Sequence, residues 1–324
     1  MPLQSSHFKG NSFSRNGHVE TILPGAFRKI HIPWQRETVQ LTDSDFIHLD
    51  WVKTKQPKLL FLLHGLEGSS QSQYIKGFAK YFSEKGFDIC AMNFRSCSGE
   101  VNKLLRSYHS GATEDLNEVL SHVLQTNSYA EVYLSGFSLG GNLLLRYLGE
   151  NKYPIPPQVK RACAFSVPVD LKAGSKKMES LDNSLYMRMF LKSLNQKLRV
   201  KAAMFPGQID LSGLTSIRTF HEWDDRFTAP LHGFKGCDDY YQSCSSLFVL
   251  NQIKVPTLLV NAQNDPFLAE SCFPSTNYLG ECLLLETPLY GGHCGFSYRF
   301  PNGSYYSEER AFHFFSNKEP FLYV

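Results

Sequence analysis

A chain of 324 residues, 42% of them hydrophobic and 19% charged, can bury one large core or a core with an insertion, which excludes a mainly disordered protein. A net charge of +3, with no arginine-rich run interleaved with aromatics, excludes a dedicated nucleic-acid surface. The eight cysteines include no C-x-x-C pair, the opening MPLQSSHFKGNS has no apolar core of a secretory signal, and the most apolar run is far shorter than a membrane span; a disulfide framework, a zinc site and a transmembrane anchor are unsupported, and a reducing cytoplasm is expected.

In chain order, residues 1–35 read as loop, with Asn16-Gly17-His18 and Leu23-Pro24-Gly25 as punctuation. Two antiparallel strands are predicted at 36–41 and 46–52, across the turn-prone Thr42-Asp43-Ser44-Asp45. Residues 58–63 are a continuous apolar run ending in His64-Gly65-Leu66-Glu67-Gly68, which suits a central parallel strand covered on both faces. Helix and strand then alternate: helix 74–85, strand 88–94, helix 112–125, strand 132–135, helix 140–148 and strand 162–167. That rhythm predicts an α/β fold whose mostly parallel central sheet carries helices on both faces.

After Pro168 the rhythm breaks. Helix-like pieces at 178–200, 214–223 and 238–243 precede a return to strands at 257–261 and 282–285 and a closing helix at 307–315. The expected organisation is a core of residues 1–169 and 251–324, with a helical cap, 170–250, inserted between sheet strands.

Within this frame, Gly136-Phe137-Ser138-Leu139-Gly140 falls at a strand-to-helix junction, the setting that a G-x-S-x-G nucleophile elbow requires. A serine hydroxyl is a weak nucleophile and needs a base within hydrogen-bond reach, itself oriented by a carboxylate. Asp265 follows the strand at 257–261 and His293 sits in the glycine-rich loop after the next strand, so both project from the same sheet edge as Ser138. The alternatives His221, His232, Asp224 and Asp225 fall in the cap and His313 in the closing helix; the two cap aspartates read as solvated or paired with Arg226. The backbone N–H groups of Leu139 and Leu66 are the expected donors to a developing oxyanion, while His64 reads as a loop-shaping residue.

These residues sit in motifs that resemble α/β-hydrolases of the YheT-like group, relatives of the animal ABHD1/ABHD3 type. The resemblance runs through NGHVETILP at 16–24, HGLEGSS at 64–70, NFRSCSGE at 93–100, YHSGATEDL at 108–116, GFSLGGN at 136–142, DDRFTAPLHGF at 224–234, NDPFL at 264–268 and GGHCGF at 291–296. It implies the α/β-hydrolase fold and a triad on Ser138, Asp265 and His293, the acid lying beside Asn264 where relatives often carry a second aspartate. Animal relatives carry an N-terminal membrane anchor; this chain is expected to be of the anchorless bacterial type.

The expected activity is hydrolysis of carboxylic esters, short-chain or lipid-like, without cofactor or metal. Acyl transfer by the same triad and a catalytically silent binding protein are the rival readings. Partners are expected to be a small ester and no nucleic acid, with at most peripheral membrane contact. The apolar stripe at 185–194 offers room for an acyl chain but equally suits core packing, and Lys172, Lys176, Lys177, Lys197, Arg199 and Lys201 read as a solvated cap face. Substrate, oligomeric state, and the roles of Arg95, His109 and His232 stay open at this level.

Overall fold

A computed structural model of the chain describes residues 3–10, 15–298 and 303–317. Its organising strand is β4 (Lys58–Leu63), which follows β2 (Gln35–Gln40) and β3 (Phe46–Val52). Because successive side chains of a strand point to opposite faces, the continuous apolar run is shared between two layers. Leu59, Phe61 and Leu63 pack with Leu116 and Val119 of α3 (Thr113–Thr126) and Leu143 and Leu144 of α4 (Leu139–Gly149). Leu60 and Leu62 pack with Phe78 and Phe82 of α2 (Gln73–Ser83) and Phe314 and Phe315 of α10 (Tyr306–Ser316). Each such fully buried Leu or Phe contributes about 2 kcal/mol, so both faces of the sheet must be covered.

The sheet is completed by β1 (Leu3–Gln4), β5 (Asp88–Asn93), β6 (Glu131–Phe137), β7 (Val159–Phe165), β8 (Thr257–Val260) and β9 (Leu283–Glu286). The nine strands run in the order β1-β9-β8-β7-β6-β4-β5-β3-β2. β3 is antiparallel to both β2 and β5, and every other pairing is parallel. The carboxyl ends of β4, β6, β8 and β9 therefore open toward one edge, and the loops carrying Leu66, Ser138, Asp265 and His293 leave from it.

Between β7 and β8 the described chain is helical: α5 (Leu171–Met178), α6 (Ser184–Met204), α7 (Phe220–Trp223), α8 (Ala229–Leu231) and α9 (Cys237–Cys244). These helices gather two small cores of their own, one around Met187, Leu191, Leu198 and Phe227, the other around Ala229, Tyr240 and Tyr241. The helical piece expected at 178–200 is interrupted by a 3-10 turn at Leu181–Asn183, where the Asn183 side-chain amide donates to the Pro266 and Lys177 carbonyls.

The reading of residues 1–35 as loop is corrected by α1 (Gly17–Phe27). Asn16 is its N-cap, its side chain accepting from His18 N and Val19 N at 3.0 and 3.1 Å. Pro24 sits inside the helix, where its missing N–H forgoes the bond to the Glu20 carbonyl.

Candidate active site

Ser138 lies between the last residue of β6 and the first of α4, with φ +52° and ψ −122°. A non-glycine residue held there stores about 1–3 kcal/mol, which the surrounding packing must impose. The packing is backbone on backbone: a Cβ on Gly136 would sit 2.5 Å from the Gly140 carbonyl oxygen, and one on Gly140 would sit 2.3 Å from the His64 carbonyl oxygen. Only glycine allows β6, α4 and the end of β4 to meet this closely. The Ser138 amide is fixed by the Phe165 carbonyl at 2.9 Å, and its hydroxyl faces a cavity of about 570 Å³.

His293 lines the same cavity, and Asp265 meets it from behind. Oδ2 and Oδ1 of the buried Asp265 lie 2.9 and 3.2 Å from His293 Nδ1, and Oδ1 also accepts from Phe267 N at 2.9 Å. Facing a carboxylate, Nδ1 carries the proton, which leaves Nε2 as the acceptor turned to the cavity. The imidazole is packed against the Phe267 ring at 4.4 Å between centroids. No hydrogen bond within 3.5 Å joins Ser138 Oγ to His293 among the described residues, and such contacts commonly tighten when substrate is bound.

The loop carrying His293 is wound tightly, with positive φ at Gly292, Cys294 and Phe296. It is clamped from outside by α1: Thr21 Oγ1 accepts from His293 N at 2.9 Å while donating to Gly17 O, and the buried Glu20 carboxylate accepts from Ser297 N. Desolvation in that position raises the Glu20 carboxyl above its ordinary range, against the lowering effect of its bonds to Ser297. Asn264, beside the candidate acid, accepts from Gly292 N at 3.0 Å and so ties the two loops together. Sequence reasoning missed Thr21 and Glu20 because it placed them in a loop; the available signal was the Asn16 cap followed by Glu20 in the first turn.

The loop 64–68 closes the cavity beside Ser138, where a Cβ on Gly65 would lie 3.1 Å from the Ser138 Cβ. His64 is buried and shapes this loop. Its Nε2 accepts from Phe94 N at 3.1 Å, so the proton is on Nδ1, which donates to Gly65 O at 2.7 Å; burial drives its pKa down to about 3 and keeps it neutral. Gly65 N and Glu67 N donate to the hydroxyls of Tyr74 and Tyr108. Between them, the Leu66 amide has no acceptor among the described residues, and neither has the Leu139 amide at the start of α4.

Other expectations are redistributed. Arg95 is a buried strut paired with Asp43, Asp45 and Asp115 at 2.8, 2.8 and 2.7 Å, away from the cavity lining. His109 and His232 both line the cavity, their rings 4.6 Å apart and both held below the ordinary histidine pKa, chiefly by desolvation. His232 also bridges the helical segment to the core through Ser107. Asp224 is only partly exposed and is not paired with Arg226, which binds Asp210 at 2.9 Å. It starts a π-helical turn at Asp224–Thr228, lines the cavity, and accepts from Thr228 and from Tyr241 Oη at 2.8 Å. Lys197 and Lys201 likewise leave the expected solvated face: they point inward from α6, Lys197 to Glu67 at 2.9 Å and the buried Lys201 to the carbonyls of Asn102 and Leu104.

The family profile described as alpha/beta hydrolase fold matches residues 58–271. YheT of Escherichia coli (strain K12) is 37% identical over 290 residues, covering 87% of this chain and 84% of that protein. Phospholipase ABHD3 of Mus musculus is 31% identical over 289 residues, covering 86% of this chain and 70% of its own length. Among solved structures, the Pyrococcus furiosus esterase Pf2001 superposes with a TM-score of 0.57 at 16% identity, over 89% of this chain and 91% of that one, a likeness of fold.

Proposed function

Since this chain belongs to the α/β-hydrolase family, as an ester hydrolase of the YheT-like group, we propose that it cleaves carboxylic esters through an acyl-enzyme on Ser138. His293 Nε2 takes the Ser138 proton as Oγ bonds the ester carbonyl carbon, and the carbonyl oxygen becomes an oxyanion held by the Leu66 and Leu139 amides. The intermediate collapses, the C–O bond to the alcohol breaks, and His293 returns the proton to the leaving oxygen. Water then repeats the sequence on the acyl-enzyme and releases the acid. Asp265 keeps the Nδ1 proton in place and stabilises the imidazolium. The observation that carries this reading is the Asp265–His293 pair at 2.9 Å opening on the same cavity as the strained Ser138 turn.

Helices α5 and α6 act as a cap, the segment 170–250, over that cavity. Its lining by Met178, Met189, Phe190, Leu194 and Leu198 favours a substrate with an apolar acyl part. The same lining keeps acyl transfer to an alcohol as the second reading, because a shielded acyl-enzyme waits longer for water; product analysis with added alcohol separates the two. Eight unpaired cysteines, seven of them buried, suit the cytoplasm. No helix among the described residues is long and apolar enough to cross a membrane.

The test is hydrolysis of p-nitrophenyl esters from acetyl to palmitoyl by the wild type and Ser138→Ala. Turnover that depends on Ser138 is expected, with a chain-length optimum set by the cavity. Equal turnover by the variant would refute the assignment, and fluorophosphonate labelling of Ser138 without any ester cleavage would point to a narrower substrate class.

A further inference from the structure

Glu67 follows the candidate oxyanion donor Leu66 and is itself in the left-handed region, with φ +56°. Its conformation is fixed from both ends by one tyrosine: Glu67 N donates to Tyr108 Oη at 2.9 Å, and that hydroxyl donates to Glu67 Oε1 at 2.8 Å. The carboxylate is then gripped from α6, where Ser193 Oγ donates to Oε2 and Lys197 Nζ lies 2.9 Å from Oε1. Ser193, Lys197 and Lys201 are four residues apart on one helix face, so a single polar row ties the helix to the core, at Glu67 and at the 102–104 loop. The Glu67 side chain is only 6% exposed, and in so buried a setting an ion pair holds geometry that an exposed one would not.

We propose that Glu67 is a positioning residue for catalysis: through Ser193 and Lys197, helix α6 sets the turn that aims the Leu66 N–H at the oxyanion, so seating of the cap completes the oxyanion hole. This rests on the assignment of Leu66 as an oxyanion donor. A misaimed donor loses transition-state stabilisation while leaving ground-state binding nearly untouched. The cap thereby acts on the chemical step as well as enclosing the substrate.

The test compares wild type, Glu67→Gln, Lys197→Met and the double variant on p-nitrophenyl butyrate, with thermal melting as the folding control. A matched trifluoromethyl ketone, whose carbonyl carbon bonds Ser138 Oγ to give a tetrahedral oxyanion, is measured alongside. Each single variant is expected to lose about 10-fold in kcat with KM within about twofold. The double variant should lose no more than the worse single one, because both cut the same link. The ketone's inhibition constant should rise by the same factor as kcat/KM falls. Unchanged kcat in Glu67→Gln, a loss confined to KM, multiplicative losses, or an unmoved inhibition constant would each overturn the proposal. Lys197→Met removes none of the hydrogen bonds that Tyr74 and Tyr108 make to the 65–67 turn, so it carries the test alone should Glu67→Gln melt early. If wild-type turnover needs Ser138 and Glu67→Gln still matches wild type, only this inference falls; if Ser138→Ala turns over, the triad assignment falls with it.

Discussion

The two walls of the cavity are built by different means. On the core wall, the candidate machinery is fixed by backbone: Ser138 at φ +52°, His64 bonded to two main-chain groups, and glycines that let β6, α4 and β4 touch. On the opposite wall, several of the groups that reach the cavity are held by side chains bonding side chains, as in Lys197 and Ser193 on Glu67, Tyr241 on Asp224, and Tyr240 on the Ser110 hydroxyl at 2.9 Å. Backbone constraint permits almost no adjustment, whereas side-chain networks can be retuned one residue at a time. On the proposed reading, the nucleophile and its glycine-packed turn thus belong to the rigid wall, and the adjustable wall reaches the chemistry only through Glu67.

The largest effects should come from the rigid wall. Ser138→Ala and His293→Ala are each expected to lower kcat by about 10⁴–10⁶, in burst and steady-state assays, with melting temperatures near wild type. Either variant retaining a tenth of wild-type turnover would break the comparison at its strongest point. Next comes Gly140→Ala, whose new Cβ would lie 2.3 Å from the His64 carbonyl oxygen and 2.7 Å from that of Leu63, backbone atoms that cannot yield. A loss of about 3–5 kcal/mol in urea unfolding, or failure to fold, is expected; a change under 1 kcal/mol would show that the junction is looser than backbone packing requires.

Thr21 sharpens the contrast, because it is a side-chain tether on the rigid wall. Its hydroxyl accepts the His293 N–H at 2.9 Å, so Thr21→Val strands that amide and lets the loop shift. One unmet buried donor costs about 1–3 kcal/mol. A fall of about 10-fold in kcat is expected, with Thr21→Ser restoring most of it. If both variants match wild type, the Thr21 hydroxyl does not position His293.

These tethers mark where sequence was informative and where it was not. β3 and β4 have the expected bounds, 46–52 and 58–63, the first because a turn-prone 42–45 precedes it and the second because a central buried strand shows as a continuous apolar run. Asp265 and His293 stand just past consecutive strands, and a parallel sheet brings such positions to one edge, where the two share a hydrogen bond. Helix α1 was hidden because Asn16-Gly17 and Pro24-Gly25 read as turn and breaker, though Asn16 proved a cap and Pro24 was absorbed by the helix. Lys197 and Lys201 were hidden for a different reason. Charges spaced four apart on a helix look like a solvated face, and only the approach of loops 67 and 102–104, distant in sequence, turns that face inward. Asp224 was lost in the same way, since Arg226 is its neighbour in sequence but not in space.

Asp224 supplies the smallest expected effect on turnover and the most direct view of the adjustable wall. Desolvation raises its carboxyl from the ordinary value of 3.8 to about 6, opposed by the hydrogen bonds from Thr228 and Tyr241 and by the charge of nearby His221. In the unfolded chain the proton leaves near pH 4; in the folded protein it stays until about pH 6, so across that interval the folded state binds more protons. Stability from this group is therefore full below about pH 4 and is lost as pH rises through 6, by at most about 3 kcal/mol. Asp224→Asn abolishes the titration, so the melting temperature of the variant minus that of wild type should climb between pH 4 and pH 7 and level off above. Taking the difference cancels the other carboxylates, which titrate identically in both proteins. A flat difference would mean that the carboxyl is hydrated through the cavity mouth, and that the cap stands open enough in solution to let water reach its inner face.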